Sequence, residues 1–329
     1  MNYMNAETPQ AMNVADNRQR LNPKAIANAM DKVLASAEQV ILGKNQQLRL
    51  ALACMMAKGH LLIEDQPGMG KTTLAHVLAR VMGLEFQRVQ FTSDLLPSDI
   101  LGASIYDKDN GKFTFHPGPI FAQLVLADEV NRATPKCQSA LLEAMEEQQV
   151  TVEGNTYDLP KPFFVIATQN PLHQIGTFPL PESQLDRFLM RLTMGYPDKQ
   201  AERELLSGRD RREIAATLAA ALSPQQLLAV QAQVAQVHVS DALLDYLQAL
   251  LDFSRQSAEF SVGLSPRGGL ALLRAAQAWA LLHGRVHVLP EDLQMVLPAV
   301  AGHRLQGRGE ASGQGPDSLA ARLLEVPIP

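Results

Sequence analysis

The chain has 329 residues, enough for two or three domains with ample core, and its 46% apolar and 19% charged composition is that of a globular protein. A net charge of −5 gives no overall attraction to nucleic-acid backbones or anionic membranes, and no apolar run has the length of a bilayer span or the look of a signal peptide. Cys54 and Cys137 stand in helical contexts without metal-ligand spacing, so they read as buried thiols in a reducing compartment, and a cytoplasmic location is expected.

In chain order, residues 1–22 are polar and rich in Asn and Gln, and read as a disordered arm. Helical patterns cover about 24–40 and 45–58. Short apolar runs then alternate with helices: HLLIE (60–64), FQRVQF (86–91), QLVLADE (123–129), FFVIATQN (163–170) and FLMRLTM (188–194). Runs of this kind predict strands buried on both faces, hence a parallel sheet flanked by helices. Two inserts break the alternation. Residues 104–119 carry the turn pair Asn110-Gly111 followed by alternating Phe113 and Phe115, and residues 149–160 alternate Val150 and Val152 before Gly154; both predict β-hairpins. Beyond about residue 198 the strand signals stop and the chain becomes Leu- and Ala-rich. The expected organisation is an α/β domain over 23–197, a linker over 198–222, an all-helical lid domain over 223–306 and a loose Gly- and Ser-rich tail over 307–329.

The segment IEDQPGMGKTTLA (63–75) joins the first strand to a helix. A helix N-terminus offers unpaired N–H groups and partial positive charge, and glycines let that backbone wrap a phosphate. Lys71 supplies a point charge for phosphates and Thr72 a hydroxyl for Mg²⁺. The pattern G-x-x-x-x-G-K-[ST] asks for Gly at position 65, where this chain has Asp65. Asp tolerates left-handed backbone better than most residues. Glycine there would relieve any left-handed strain and remove a negative charge near the phosphates, so Asp65→Gly is expected to be tolerated or mildly favourable for nucleotide binding. A second strand ends in Asp128-Glu129, with Asp128 suited to Mg²⁺ and Glu129 to polarising a water. A third ends at Asn170, an amide able to orient that water.

These motifs, with the long stretches FTSDLLPSDILGASIYD, FHPGPIFAQLVLADEVNRATPKCQSALLEAMEEQQVTVEG, ATQNPLHQIGTFPLPESQLDRFLMRL and SPRGGLALLRAAQAWALLHGRVHVLPEDL, resemble the MoxR family of AAA+ ATPases over about residues 24–305. The resemblance implies a P-loop α/β module with two hairpin inserts and a helical lid, assembled as a homo-oligomeric ring, commonly a hexamer, with ATP or ADP and Mg²⁺ at subunit interfaces. It implies that Lys71 and Thr72 form the Walker A pair, Asp128 and Glu129 Walker B, Asn170 sensor I, Arg187 in LDRF the arginine finger, and Arg267 in SPRGG the sensor II arginine. The expected site is therefore Glu129, Asn170 and Arg187 for chemistry, and Thr72 and Asp128 for metal. Nucleotide contacts are expected from Ile41, Gly43, Gln66, Pro67, Gly68, Met69, Gly70, Lys71, Thr72, Thr73 and Arg267.

The family acts on partner proteins by chaperone-like remodelling or metal insertion, often with a von Willebrand factor A domain protein. Two competing readings use the same motifs: a nucleotide-gated assembly module with little turnover, and a DNA-directed motor, which the acidic balance and the want of a basic arm disfavour. Ser265 and Pro266 predict a helix start that sets Arg267 in the first turn. Trp279 reads as lid core, and Glu143, Glu146 and Glu147 as a solvated helix face.

Overall fold

The structure, a computed structural model, describes residues 22–108, 111–170 and 177–328. Two helices come first, α1 (Pro23–Glu38) and α2 (Asn45–Met56). Asn22 caps α1 by accepting the Lys24 N–H, and the rest of the arm expected over 1–22 lies outside the described residues. Next are β1 (Leu61–Glu64), α3 (Lys71–Val81), β2 (Phe86–Gln90) and the short α4 (Pro97–Leu101). The first hairpin is β3 (Gly102–Asp107) with β4 (Lys112–Pro117). After β5 (Leu124–Asp128) and α5 (Pro135–Glu147) comes the second, β6 (Gln149–Val152) with β7 (Asn155–Asp158). β8 (Phe164–Gln169), the single turn α6 (Glu182–Leu185) and β9 (Met190–Leu192) complete the α/β part.

All five apolar runs become strands of one parallel sheet, in the order β2-β5-β8-β1-β9. Side chains alternate between the two faces. Leu61, Ile63, Leu124, Leu126 and Ile166 join the core that contains α2 and α3, while Leu62, Val125, Ala127 and Val165 join the core under α5. β1, β5 and β8 are buried on both faces as predicted. β2 is not: it is the sheet edge, and Gln87, Arg88 and Gln90 are exposed. The chain leaves β1 for the β2 edge and returns to its other side at β9, so the switch point of the topology is the carboxyl end of β1.

Both hairpins form, and Phe115 of one stacks on Tyr157 of the other at 4.0 Å. Gly111 is left-handed as the predicted turn requires, while Asn110 lies outside the described residues.

The segment 198–222 is no open linker. It contains α7 (Lys199–Ser207) and α8 (Arg211–Thr217) and docks on α3, where Arg80 donates to the Leu218 carbonyl and the Ala221 N–H to the Val81 carbonyl. The lid follows as α9 (Pro224–Val234), α10 (Asp241–Gln256), β10 (Phe260–Val262), α11 (Pro266–Leu282) and α12 (Pro290–Ala301). It is not all-helical, because β10 pairs with β11 (Gln306–Gly307). Nor is the tail loose: α13 (Pro316–Leu323) buries Leu319, Ala320 and Leu323. Its apolar face is only one turn deep, too short to stand out from the Gly- and Ser-rich text before it. Trp279 is lid core at 7% exposure. One continuous apolar core runs from α1 and α2 through the sheet to α11 and α12, so the lid shares its interior with the α/β part.

Two buried histidines in this frame make stability acid-sensitive. His60 accepts the Val165 N–H at Nδ1 and so carries its proton on Nε2, facing the Met145 carbonyl. Burial pushes its pKa down from 6.5 to about 4, and burial also lowers that of His303, with the adjacent Arg304 adding to the effect. A folded-state value below the unfolded one means that this stability is fully present above pH 6.5 and is lost as pH falls through about 4. For His60 alone the loss is about 3 kcal/mol by pH 4. Thermal melting between pH 7 and 4 should show it, and His60→Gln, which keeps an acceptor and a donor but cannot charge, should flatten the curve. Equal slopes would rule the assignment out.

Candidate active site

The chain leaves β1 at Glu64 and enters α3 at Lys71. Between them Gly68 and Gly70 take φ of 86° and 82°, and nothing lies within 4 Å of where their Cβ atoms would sit. The loop therefore bends into an open concavity that only glycine backbone can form. No side chain caps α3, so its first-turn N–H groups face that space. Gln66, Pro67 and Gly68 are exposed, and Met69, Thr72 and Thr73 are half-buried. The geometry fits a phosphate chain: a left-handed glycine cradle, an uncapped helix start and one ammonium at its centre.

That ammonium is more enclosed than the sequence suggested. Lys71 is buried, and its Nζ donates to the carbonyls of Asp65 (2.6 Å) and Gln169 (3.4 Å) and to Asn170 Oδ1 (3.2 Å). Burial lowers its pKa, while Asp65, Asp128, Glu129 and Glu64 pull it back up.

At the neighbouring strand ends, Asn170 turns its amide nitrogen to Glu129 Oε1 (3.0 Å). One amide thus bridges the lysine and the glutamate, its oxygen facing the cation and its nitrogen the anion. Glu129 itself is left-handed at φ 57°, a conformation costly for a side chain of this kind, and Thr168 Oγ1 accepts its N–H. Its other oxygen meets Gln90 Nε2 (3.0 Å) and Arg132 (3.2 Å). Asn131 donates to the Asn170 carbonyl from full burial.

Asp128 is nearly buried, accepts from Thr168 Oγ1 at 2.5 Å and from Arg88 at 2.6 Å, and lies 3.5 Å from the Thr72 hydroxyl. One hydroxyl and one carboxylate suit Mg²⁺, which takes its remaining ligands from substrate phosphates and water. Arg88, Gln90 and Thr168 were not identified from sequence. A signal existed: Arg88 and Gln90 are two apart on an edge strand, and Thr168 is two before Asn170, so each pair shares a face.

Asp65 overturns an expectation. It is not left-handed, and its buried carboxylate accepts the backbone N–H groups of Gln66 (2.8 Å) and Gly195 (2.6 Å). Replacing it with glycine relieves no strain and removes two bonds. Ile41 is buried, and the exposed, left-handed Gly43 packs on the start of α7, where an added Cβ would sit 3.0 Å from Ala201 Cβ.

Arg267 does sit in the first turn of α11, behind the Ser265 cap, but not beside its own phosphate loop. Its guanidinium pairs with Glu146 at 3.2 Å, and Arg187 takes the other oxygen of the same carboxylate at 3.0 Å. Glu146 is therefore no free member of a solvated face. The two arginines share a cavity of about 260 Å³ with Lys58, Gly59 and His60, at the amino end of β1. The loop that opens α3 leaves the carboxyl end, roughly 10 Å away along β1 at about 3.3 Å of strand rise per residue. Asp186 in that region is held by the buried Arg304 at 2.6 Å.

Among the described residues no group of three or more His, Cys, Asp and Glu is placed to hold a metal by itself. Both cysteines are free and buried, and burial drives the Cys54 thiol pKa up.

Comparison with known proteins agrees with this architecture. Residues 60–190 match the ATPase family associated with various cellular activities (AAA), and residues 252–323 match the AAA lid domain. The chain is 46% identical to YeaC of Bacillus subtilis over 87% of this chain and 89% of that protein. It is 39% identical to Chaperone MoxR1 of Mycobacterium tuberculosis over 92% of this chain and 82% of that protein. A crystal structure of "a putative ATPase" from Cytophaga hutchinsonii superposes with a TM-score of 0.83 at 35% identity, covering 93% of this chain and 96% of that one. With a nucleotide-binding module and lid of this kind, and relatives matched along nearly their whole length, the chain belongs to the MoxR family of AAA+ ATPases.

Proposed function

We propose that the protein binds and hydrolyses ATP with Mg²⁺ in a homo-oligomeric ring, a hexamer, and uses the cycle to remodel a client protein or load its cofactor. The separation of two half-sites carries the reading. Lys71, Thr72, Asp128, Glu129 and Asn170 converge at the carboxyl edge of the sheet, whereas Arg187 and Arg267 meet at Glu146 near the opposite end of β1. A pocket whose own arginines, Arg88 and Arg132, are held by Asp128 and Glu129, and an arginine pair that lacks a phosphate, complement each other across a subunit boundary. Arg267 then serves the neighbour's nucleotide together with Arg187, in place of its own.

Thr72 and Asp128 would hold Mg²⁺, which neutralises phosphate charge when bound. Glu129 takes the proton of the attacking water, and Asn170 holds Glu129 in line. The relative named Chaperone MoxR1 supports a protein client. A von Willebrand factor A domain protein is the partner proposed, and the two buried free thiols fit a cytoplasmic setting. No described helix is long and apolar enough to cross a membrane.

The test is the dependence of ATPase specific activity on protein concentration, with sedimentation velocity run in parallel. Activity per subunit should rise with concentration and plateau where the ring assembles. Constant specific activity in a monomer would refute the ring reading. Assembly on ATP without turnover, at any concentration and with partners present, would leave the nucleotide-gated module in its place.

A further inference from the structure

The connection between the phosphate loop and the lid is explained by neither the Walker residues nor the two arginines. Asp65 is the first residue of that loop and is 8% exposed. A carboxylate so enclosed needs its oxygens satisfied, and it takes one N–H from each of two separate segments. Oδ1 accepts from Gln66, inside the phosphate loop, and Oδ2 accepts from Gly195, three residues beyond β9. The Asp65 carbonyl at the same time accepts from Lys71 Nζ at 2.6 Å.

Around this carboxylate the three segments that border the candidate nucleotide site are tied together. Tyr196 donates its hydroxyl to Gln66 Oε1 at 3.2 Å, and Lys44 Nζ donates to the Tyr196 carbonyl at 2.7 Å. Asp198 caps α7 by accepting the Ala201 N–H, and its Oδ2 packs against Gly43. From α7 the chain passes directly through α8 into the lid.

We propose that Asp65 is the positioning residue that couples the phosphate loop to the Gly195–Asp198 turn, so that seating a nucleotide on the loop is transmitted to the entrance of the lid. It touches no phosphate. It acts through the Gly195 and Gln66 N–H groups, and Tyr196 with Lys44 forms the second strand of the same tie. The inference rests on the reading of residues 65–73 as a phosphate loop.

Hydrogen exchange of the peptides covering 194–208 tests it, measured on full-length protein with and without AMP-PNP and Mg²⁺. In wild type, the analogue should slow exchange there. A charge-assisted hydrogen bond shifts a local opening equilibrium by roughly ten- to a hundredfold, and that protection should vanish in Asp65→Asn, where one oxygen becomes a donor facing an N–H. Tyr196→Phe, at a ring 71% exposed and so safe for folding, should lose part of it. A residue with a merely structural role would lower the melting temperature of Asp65→Asn and leave the nucleotide-dependent difference intact. Undiminished protection in Asp65→Asn overturns the coupling. Should Asp65→Asn fail to fold, Tyr196→Phe decides: protection equal to wild type overturns the coupling, and reduced protection supports it. If wild type binds AMP-PNP but shows no change at 194–208, the coupling falls and the phosphate loop stands. If wild type does not bind the analogue, both fall.

Discussion

Arg187→Ala is expected to cut ATP turnover by about 10³–10⁵, the range that a guanidinium on the transferring phosphoryl group contributes in phosphate-loop enzymes. Nucleotide affinity should be nearly unchanged, because Lys71, Thr72 and the glycine cradle lie at the other end of β1. Folding should survive as well: the Arg187–Glu146 pair is partly exposed, and such pairs contribute little stability. The decisive measurement mixes variants. Lys71→Ala has an intact arginine and no working pocket; Arg187→Ala has an intact pocket and no arginine. Each alone should be nearly inactive. When subunits exchange, some interfaces unite a good pocket with a good arginine, and part of the wild-type rate should return. If exchange is demonstrated and no rate returns, Arg187 does not act in trans. Arg267→Ala put through the same mixing should complement Lys71→Ala if the two arginines serve one neighbouring site. Failure of Arg267 alone would separate their roles.

Glu129→Gln is the second large effect. Turnover should fall by about 10²–10⁴, the usual contribution of a positioned general base. Glutamine keeps the shape of the side chain, and its one remaining oxygen can still accept from Gln90 and Arg132, so the backbone there should hold while the Asn170 amide loses its acceptor. Binding of a fluorescent ATP analogue should stay within a few-fold of wild type while steady-state hydrolysis collapses. The ATP-loaded variant then becomes a trap for the client in a pull-down. Hydrolysis within twofold of wild type would remove Glu129 from the chemistry and leave its left-handed backbone, φ 57°, without a catalytic reason.

The candidate site was legible in the sequence to the extent that its chemistry is local. Gly68, Gly70, Lys71 and Thr72 form one turn, and Asp128, Glu129 and Asn170 end strands whose apolar runs are unbroken. A parallel sheet brings such strand ends to one edge whatever the rest of the chain does. What escaped were partners set by register. Arg88 reaches Asp128 because β2 pairs with β5, and Thr168 reaches both Asp128 and the Glu129 N–H because β5 pairs with β8. Strand order is not written in any one segment.

Local pattern determined the five parallel strands from their short apolar runs, the two hairpins from their alternation, the helical lid from its 3.6-residue period, and the motif that marks a nucleotide site. It could do so because backbone hydrogen bonding and side-chain alternation act over a few residues. Only the tertiary structure decided where Arg267 lies, that Asp65 is an anchor and not a flaw in the loop, and that residues 198–222 and 307–328 are packed helices and turns. Each depends on groups more than a hundred residues apart in sequence: Asp65 with Gly195, Arg267 with Glu146, Arg80 with Leu218, Asp317 with Arg191. Burial and charge pairing act through space, and their outcome is fixed only when the whole core closes.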